Sequence, residues 1–252
     1  MTVSTTHLVL IPSYNTGPRL IETVRDALAQ WAPVWVIVDG STDDSAAPVS
    51  ALAAVNQRLR VIFREYNGGK GAAVATGVTA ALAEGFTHVL TMDSDGQHPA
   101  QLIPEFMKVS QSEPRALVLG RPVFGPEVPL ERLYGRKLSV GLTWVEILGA
   151  GIDDSLFGFR VYPAKPLQEA LASTRRARGF DFDPEIAVRM VWAGVPTINL
   201  PAPCRYLSKS EGGISHFRYL RDNLKLSWLH LRLLSQLLIW RWPQVLHRRR
   251  AS

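Results

Sequence analysis

Short runs of apolar residues alternate with amphipathic stretches along the first half of the chain. The apolar runs lie at 7–12, 34–39, 60–63, 88–93 and 116–120. Helical patterns occupy the intervals at roughly 17–31, 43–56, 70–84 and 99–110. This alternation predicts a mostly parallel sheet with helices on both faces, and continuous apolar runs are expected where both faces of a strand are covered. We therefore expect an α/β fold.

Three polar clusters follow predicted strands at their carboxyl ends. They are PSYN at 12–15, DGSTDD at 39–44 and DSDGQH at 93–98. In open α/β sheets, ligands bind in the crevice outside the carboxyl ends of the strands. We therefore expect the three clusters to line one crevice.

The third cluster places two carboxylates one residue apart, at Asp93 and Asp95. Because side chains alternate along a strand, both carboxylates can lean to the same side. Such a pair can hold Mg²⁺ or Mn²⁺ with positions left for substrate phosphates, and Gln97 can add a carbonyl oxygen. The spacing alone is a weak signal, since paired aspartates in a turn more often cap the following helix.

Composition limits the class of protein. A chain of 252 residues with 46% hydrophobic content can bury a substantial core, which excludes a disordered chain. The single cysteine, Cys204, excludes a disulfide framework and a cysteine-based zinc site, and it favours a reducing compartment. The first apolar run stops at Pro12 and has no basic residue before it, so it indicates a strand and not a signal peptide.

The formal net charge is +6, and the basic residues are concentrated toward the C-terminus. The most apolar part of that region, 226–240, is shorter than the roughly 20 residues of a spanning helix and contains Arg232. Leu and Trp mixed with Arg and Lys favour a helix lying on an anionic membrane surface. The alternative is a helix packed on the catalytic domain or on a second subunit. The Gly- and Ser-rich stretch at 205–215 suggests a division into 1–210 and a basic amphipathic segment, 211–252.

Six motifs in order resemble the family 2 glycosyltransferases, most closely the polyprenyl-phosphate hexose synthases of the dolichyl-phosphate mannose synthase type. The motifs are IPSYN at 11–15, VDGSTDDS at 38–45, NGGKGAAVATG at 67–77, MDSDGQHP at 92–99, GFRVYP at 158–163 and FDFDPEI at 180–186. The resemblance implies a Rossmann-like GT-A fold and an inverting transfer of a hexose from a GDP- or UDP-sugar held by Mg²⁺ or Mn²⁺. It also implies a lipid-linked acceptor such as a polyprenyl phosphate.

The resemblance also assigns residues. The donor would be bound by Pro12, Tyr14, Asn15, Asp39, Lys70, Gly71, Asp93 and Ser94. The metal would be held by Asp93, Asp95 and Gln97. An acceptor phosphate arrives ionised and needs cations to place it, whereas a hydroxyl acceptor needs a carboxylate base. The candidate cations are Arg121, Arg136 and Arg160, of which Arg160 is favoured because a motif contains it. The candidate bases are Asp154, Asp183 and Glu185.

Three positions depart from the family pattern. Val38 replaces an aspartate, Thr16 a glutamate, and Phe157 the serine before GFR. The departures leave the nucleotide base and the acceptor chemistry open. A hydroxyl of another lipid or of an envelope glycan is the alternative acceptor, and a noncatalytic nucleotide-sugar-binding protein is the alternative function. Lys70 is not followed by a hydroxyl residue, which argues against a Walker loop and an NTPase. We expect a cytoplasmic protein on the inner face of the membrane and no nucleic-acid partner.

Overall fold

The computed structural model describes residues 3–125, 128, 130–149, 151–204 and 219–241, with the backbone alone at 130–133, 219–220 and 240–241. The strands are β1 His7–Ser13, β2 Val34–Asp39, β3 Leu59–Arg64, β4 His88–Thr91, β5 Leu117–Phe124, β6 Arg160–Pro163 and β7 Thr197–Cys204. The helices are α1 Arg19–Gln30, α2 Ala46–Val55, α3 Lys70–Ala83, α4 Ile103–Ser112, α5 Leu130–Glu146, α6 Ala164–Ala172, α7 Phe182–Trp192 and α8 Tyr219–Gln236. A π-helical turn, Leu237–Arg241, continues α8.

The described strands form one sheet in the order β3-β2-β1-β4-β6-β5-β7. All neighbouring pairs are parallel except those of β6, which runs antiparallel to β4 and β5. The parallel strands therefore end at one edge of the sheet, which is where ligands bind in this class of fold. The predicted α/β class with a mostly parallel sheet is confirmed.

Both faces of the sheet are covered by helices. Within β1, Leu8 and Leu10 pack with α3, α6, α7 and α8, whereas Val9 and Ile11 pack with α1 and α4 on the other face. Because side chains alternate along a strand, a strand buried on both sides needs apolar residues at every position. This explains the continuous apolar runs of the sequence.

Helix α8 packs on the catalytic domain. Leu229, Leu233 and Leu237 belong to the same core cluster as the sheet residues. The inner face of α8 is thus part of the domain, and the expected boundary at 210 lies outside the described residues. Within the described ranges, no helix combines the length and the apolar character needed to cross a bilayer.

Candidate active site

The chain leaves β4 through a turn that carries the aspartate pair. The strand ends at Thr91, and Gly96 adopts a φ of 77°, a conformation that glycine reaches without strain. The turn forms one wall of a pocket at the carboxyl edge of the sheet. The pocket is lined by Asp93, Asp95, Gln97, His98, Phe124, Val128, Arg136, Leu156, Phe157, Gly158 and Cys204.

The polar clusters that follow β1 and β2 contact each other. Oδ1 of Asn15 accepts hydrogen bonds from the backbone N–H of Thr42 at 2.8 Å and of Asp43 at 3.3 Å. The backbone N–H of Asn15 donates to Oγ of Ser41 at 3.1 Å. Asn15 therefore joins the two loops on which the donor is expected to lie.

A chain of buried hydroxyls links the first cluster to the aspartate pair. Oγ1 of Thr16 lies 3.0 Å from Oγ of Ser13 and 2.9 Å from Oγ of Ser94. Thr16 therefore replaces the glutamate of the family pattern with a hydroxyl that fixes Ser94 beside Asp93. This contact could not be read from the sequence, because the residues are far apart along the chain.

Asp39 organises the glycine-rich turn before α3. Its carboxylate pairs with the guanidinium of Arg64 and accepts the backbone N–H of Gly69 at 2.7 Å. Gly71 is buried, and a Cβ at this position would lie 1.9 Å from the carbonyl oxygen of Ala177. The structure thus gives Asp39 and Gly71 roles in shaping the loop. Direct contact of either residue with the donor remains a prediction.

Lys70 stands between two carboxylates. Its Nζ lies 2.7 Å from Oδ1 of Asp93 and 2.7 Å from Oδ2 of Asp183. Burial opposes the charge of the ammonium, but the two carboxylates raise the pKa of Lys70 above its ordinary value. Burial likewise opposes ionisation of Asp93, yet Lys70 lowers the pKa of Asp93 to about 2. Asp93 is therefore an ionised side chain at neutral pH.

The second aspartate of the pair behaves differently. Burial, together with the negative charge of Asp93, raises the pKa of Asp95 to about 6. A cation between the two carboxylates would relieve this repulsion, and oxygen donors suit Mg²⁺ or Mn²⁺. No cluster of three or more His, Cys, Asp or Glu side chains among the described residues could hold a metal. The pair fits a cation that takes its remaining ligands from phosphate oxygens and Gln97.

His98 contacts Asp93 at atoms other than the carboxylate oxygen that Lys70 contacts. The backbone N–H of Asp93 donates to Nδ1 of His98 at 2.9 Å, which leaves the ring proton on Nε2, 3.5 Å from Oδ2 of Asp93. Burial lowers the pKa of His98 to about 4, so the ring is neutral at physiological pH. Phe157 packs edge-on against this ring with centroids 4.7 Å apart. Phe157 therefore supports His98 where the family pattern has a serine.

Arg136 provides a positive charge in the pocket. Its Nη2 donates to Oδ1 of Asp154 at 2.6 Å, and its Nε donates to Oδ2 of the same carboxylate. The guanidinium also lies 5.1 Å from the ring centroid of Phe124. Asp154, a candidate base, is thus occupied in orienting Arg136 and in accepting the backbone N–H groups of Leu156 and Phe157.

Arg160 does not face the pocket, contrary to its expected role as a phosphate-binding residue. The residue is fully buried, and its guanidinium donates to the carbonyl oxygens of Phe157, Asp183 and Ser155 at 2.7, 2.7 and 2.6 Å. It therefore acts as a structural residue that ties the loop before β6 to the start of α7. A sequence motif identifies such an arginine, but it does not show whether the side chain faces the pocket or the interior of the domain.

Two further expectations need correction. Glu185 is fully buried and pairs with Arg189 and Arg232 on the side of α7 that meets α8, so it is not placed to act as a base. Arg121 is exposed, lies 3.8 Å from Asp153 and is absent from the residues that line the pocket. Of the three candidate cations, only Arg136 lines this pocket.

Comparison with known proteins decides the family. Residues 8–162 match the sequence model of Glycosyl transferase family 2. The chain belongs to this family. The predicted family and the prediction that the protein is an enzyme are both confirmed, and the alternative of a noncatalytic nucleotide-sugar-binding protein loses its support.

Relatives of this glycosyltransferase share most of its length. The polyprenol monophosphomannose synthase of Mycolicibacterium smegmatis is 28% identical over 201 residues, which cover 77% of this chain and 75% of the relative. The undecaprenyl-phosphate mannosyltransferase of Micrococcus luteus is 27% identical over 217 residues, which cover 82% of this chain and 88% of the relative.

Solved structures agree on the fold. Glucosyl-3-phosphoglycerate synthase from Mycobacterium tuberculosis, solved with Mn²⁺, uridine-diphosphate-glucose and phosphoglyceric acid, has a TM-score of 0.63 and 18% identity to this glycosyltransferase. The match covers 93% of this chain and 79% of that one. The GT-A architecture predicted from the motifs is thereby confirmed.

Proposed function

We propose that this glycosyltransferase moves a hexose, with inversion, from a nucleotide-diphosphate sugar to a polyprenyl phosphate. The observation that carries the proposal is the pairing, in one pocket, of the Asp93–Asp95 carboxylates with the Arg136 guanidinium. The carboxylates suit the metal–diphosphate end of a donor, and the guanidinium suits an anionic acceptor. Two relatives named for transfer of mannose to polyprenol or undecaprenyl phosphate support the same acceptor class.

Asp93, Asp95 and Gln97 would hold Mg²⁺ or Mn²⁺. When bound, the ion would supply positive charge to the leaving diphosphate. Lys70 and His98 fix Asp93 from two sides, so the first carboxylate needs little rearrangement before it binds. This arrangement is electrostatic preorganisation, in which the protein aims its charges before the reaction begins.

Arg136 would place the acceptor phosphate. An ionised phosphate oxygen attacks the anomeric carbon, the carbon–oxygen bond to the leaving diphosphate breaks, and no proton has to be removed. Asp154 supports this role because it fixes the guanidinium through two hydrogen bonds. A general base is therefore not required, which is consistent with Asp154 and Glu185 both being engaged in ion pairs.

Exposed apolar residues on α5, on α8 and on the π-helical turn that follows α8 support action on a membrane-bound acceptor. They are exposed by 56% to 72% and comprise Tyr134, Leu138, Trp144, Leu224, Trp228, Leu231, Leu238 and Ile239. Exposed apolar surface of this extent marks interaction sites, and the exposed Lys137, Arg221 and Lys225 add the positive charge that anionic lipid attracts. Helix α5 carries both this surface and Arg136. A lipid held there would present its phosphate close to the pocket.

A donor screen tests the proposal. The protein is incubated with Mn²⁺ or Mg²⁺ and a panel of GDP- and UDP-hexoses, and thermal shift and donor hydrolysis are read together. We expect one nucleotide sugar to raise the melting temperature only when the metal is present. A panel in which no donor binds with either metal would contradict the proposal.

A further inference from the structure

Helix α8 exposes large apolar side chains beside Arg221 and Lys225 on its outer side, whereas His230 and Arg232 lie on its inner side. Trp228 and Leu231 are more than half exposed, whereas His230 is buried and the side chain of Arg232 is 16% exposed. Arg232, which interrupts the most apolar stretch of the sequence, thus lies on the inner side of the helix. A polar or charged side chain on the inner side of a helix needs a partner, and each of these two residues meets a different helix.

Arg232 joins α8 to α7. Its Nη1 lies 2.9 Å from Oε1 of Glu185, and its Nη2 lies 2.5 Å from Oε2 of the same carboxylate. Glu185 follows Asp183 by two residues, in the first turn of α7, and Asp183 contacts Lys70 in the active site. The ion pair therefore holds the end of α7 that carries Asp183.

His230 joins α8 to α5. Its Nδ1 lies 2.8 Å from Oε1 of Glu146, and its Nε2 lies 2.7 Å from Oγ of Ser139. Ser139 is three residues after Arg136 on α5, so the contact lies about one turn from the guanidinium in the pocket. Helices α7 and α5 also touch each other directly, since the indole of Trp192 at the end of α7 donates to the carbonyl oxygen of Glu146 at 2.9 Å.

We propose that His230 and Arg232 are positioning residues through which α8 sets the relative placement of Arg136 and Asp183. The proposal rests on the proposed function for the identity of the reacting groups. Each side chain contacts a helix that carries a candidate catalytic residue, and neither lines the described pocket. Because α8 also carries the outer apolar residues, contact of those residues with a membrane acts on both catalytic helices through the same two links.

The variant Arg232→Met tests the link to α7. Methionine keeps most of the aliphatic volume, and Glu185 keeps its contact with Arg189 at 2.8 Å, so no buried carboxylate is left without a cation. The matched control is Lys225→Met, which removes a positive charge from the exposed side of the same helix. Ser139→Ala tests the link to α5, because it removes one hydrogen-bond partner of His230.

Amide hydrogen exchange on the full chain without ligands gives the first reading. The exchange rate of the amides at 182–186 should rise about tenfold in Arg232→Met, because the equilibrium constant for local opening of the start of α7 should rise by the same factor. The rate should stay unchanged in the Lys225→Met control. Ser139→Ala should raise exchange in α5 and leave 182–186 protected. Exchange in Arg232→Met that matches the wild type would overturn the proposal.

Transfer kinetics give the second reading. Arg232→Met should lower kcat for a polyprenyl phosphate on the order of 10- to 100-fold, the loss that misplacement by about 1 Å produces. The affinity for the donor should stay within about twofold of the wild type, because we expect the change to be confined to α5 and α7. Arg232→Lys should recover part of the lost kcat. If Arg232→Met instead lowers donor affinity, the transfer rate and the melting temperature together, the role of Arg232 is purely structural and the proposal is contradicted. If the wild-type enzyme transfers nothing to a polyprenyl phosphate, the proposed function fails, and hydrogen exchange still decides the positioning role.

Vesicles test the membrane link. Vesicles of anionic phospholipid should slow exchange at 182–186 and in α5 of the wild-type protein, and they should have no such effect on Arg232→Met. Trp228→Glu, a change on the exposed side of α8, should abolish the effect of vesicles while leaving exchange in their absence unchanged. Vesicles that bind but leave exchange unaltered would overturn the coupling.

Discussion

The ammonium of Lys70 lies 2.7 Å from Oδ2 of Asp183, whereas Oδ1 of the same carboxylate is buried and has no hydrogen-bond partner among the described residues. Of the three candidate bases, Asp183 is thus the one with an oxygen left to accept a proton. Asp154 is held by Arg136, and Glu185 is held by Arg189 and Arg232. For a hydroxyl acceptor, Asp183 is therefore the candidate base to test by substitution.

A pair of variants therefore separates the two acceptor chemistries. With a phosphate acceptor, Arg136→Ala should cost roughly 10- to 100-fold in kcat/KM, since a charge-assisted hydrogen bond contributes about 1.5–3 kcal/mol. Asp183→Asn should cost less, because Lys70 keeps its contact with Asp93. The control is Lys165→Ala, which removes a positive charge from an exposed position of α6. The reverse ranking of the two active-site variants would favour a hydroxyl acceptor.

Asp95 should be indispensable for turnover. The pKa of about 6 at Asp95 reflects burial and repulsion from Asp93 that a bound cation would relieve, so Asp95→Asn should weaken metal-dependent donor binding. We expect transfer to fall by at least about 100-fold, the scale of losing a large electrostatic contribution to catalysis. The exposed Asp26, changed to Asn, serves as the control. Full activity of Asp95→Asn, or of the wild type in excess EDTA, would exclude the metal role.

His98 should affect turnover through the orientation of Asp93. Oδ1 of an asparagine can accept the Asp93 N–H in place of Nδ1, whereas leucine cannot, so His98→Leu should lose more kcat than His98→Asn. The expected loss for leucine is about tenfold, equivalent to roughly 1.4 kcal/mol of transition-state stabilisation. Melting temperatures distinguish this effect from unfolding. Identical kinetics in the two variants would show that the hydrogen bond to Asp93 does not matter.

The His7–His88 pair should make the fold sensitive to acid. The two rings stack with centroids 4.3 Å apart, and burial, followed by the charge of His88, lowers the pKa of His7 to about 4. Because the unfolded chain binds the proton at about pH 6.5, the stabilisation is present above that pH and is lost as the pH falls toward 4.

Urea unfolding between pH 7.5 and pH 4.5 measures this effect. Part of the loss of unfolding free energy over this interval should come from His7, because its pKa is lowered from 6.5 to about 4 in the folded protein. In His7→Leu, the free energy of unfolding should decline less over this interval than in the wild type. Parallel declines in the two proteins would show that the His7 proton is not linked to folding.

The mostly parallel sheet and the positions of its first five strands could be predicted from sequence. The strand at 34–39 has the predicted bounds, and the other four predicted strands agree to within a few residues. Their patterns are clear because both faces of the sheet are covered. The antiparallel β6 was not predicted, since its four residues are too few for a periodic signal and strand direction depends on tertiary pairing.

The sequence identified candidate site residues but not which of them face the pocket. The sequence placed Asp93, Asp95 and Arg136 in the candidate set, and they share one pocket. It could not distinguish Arg160 and Glu185, which are buried in structural contacts, from side chains that face a ligand. No role was predicted for His98, although His98 follows the aspartate motif directly. Contacts such as Asp93 N–H to Nδ1 depend on how a turn closes, which residue spacing does not encode.

A comparison of two acceptors with the same chain length tests the central claim most directly. The wild-type protein, Mn²⁺ and the donor found in the screen are incubated with a polyprenyl phosphate and, separately, with the corresponding polyprenol. Arg136 suits an ionised acceptor, and all three candidate bases are held in ion pairs. We predict a glycosylated product from the phosphate and none above background from the alcohol. A product formed equally well from the polyprenol, or from the polyprenol alone, would contradict the proposed acceptor.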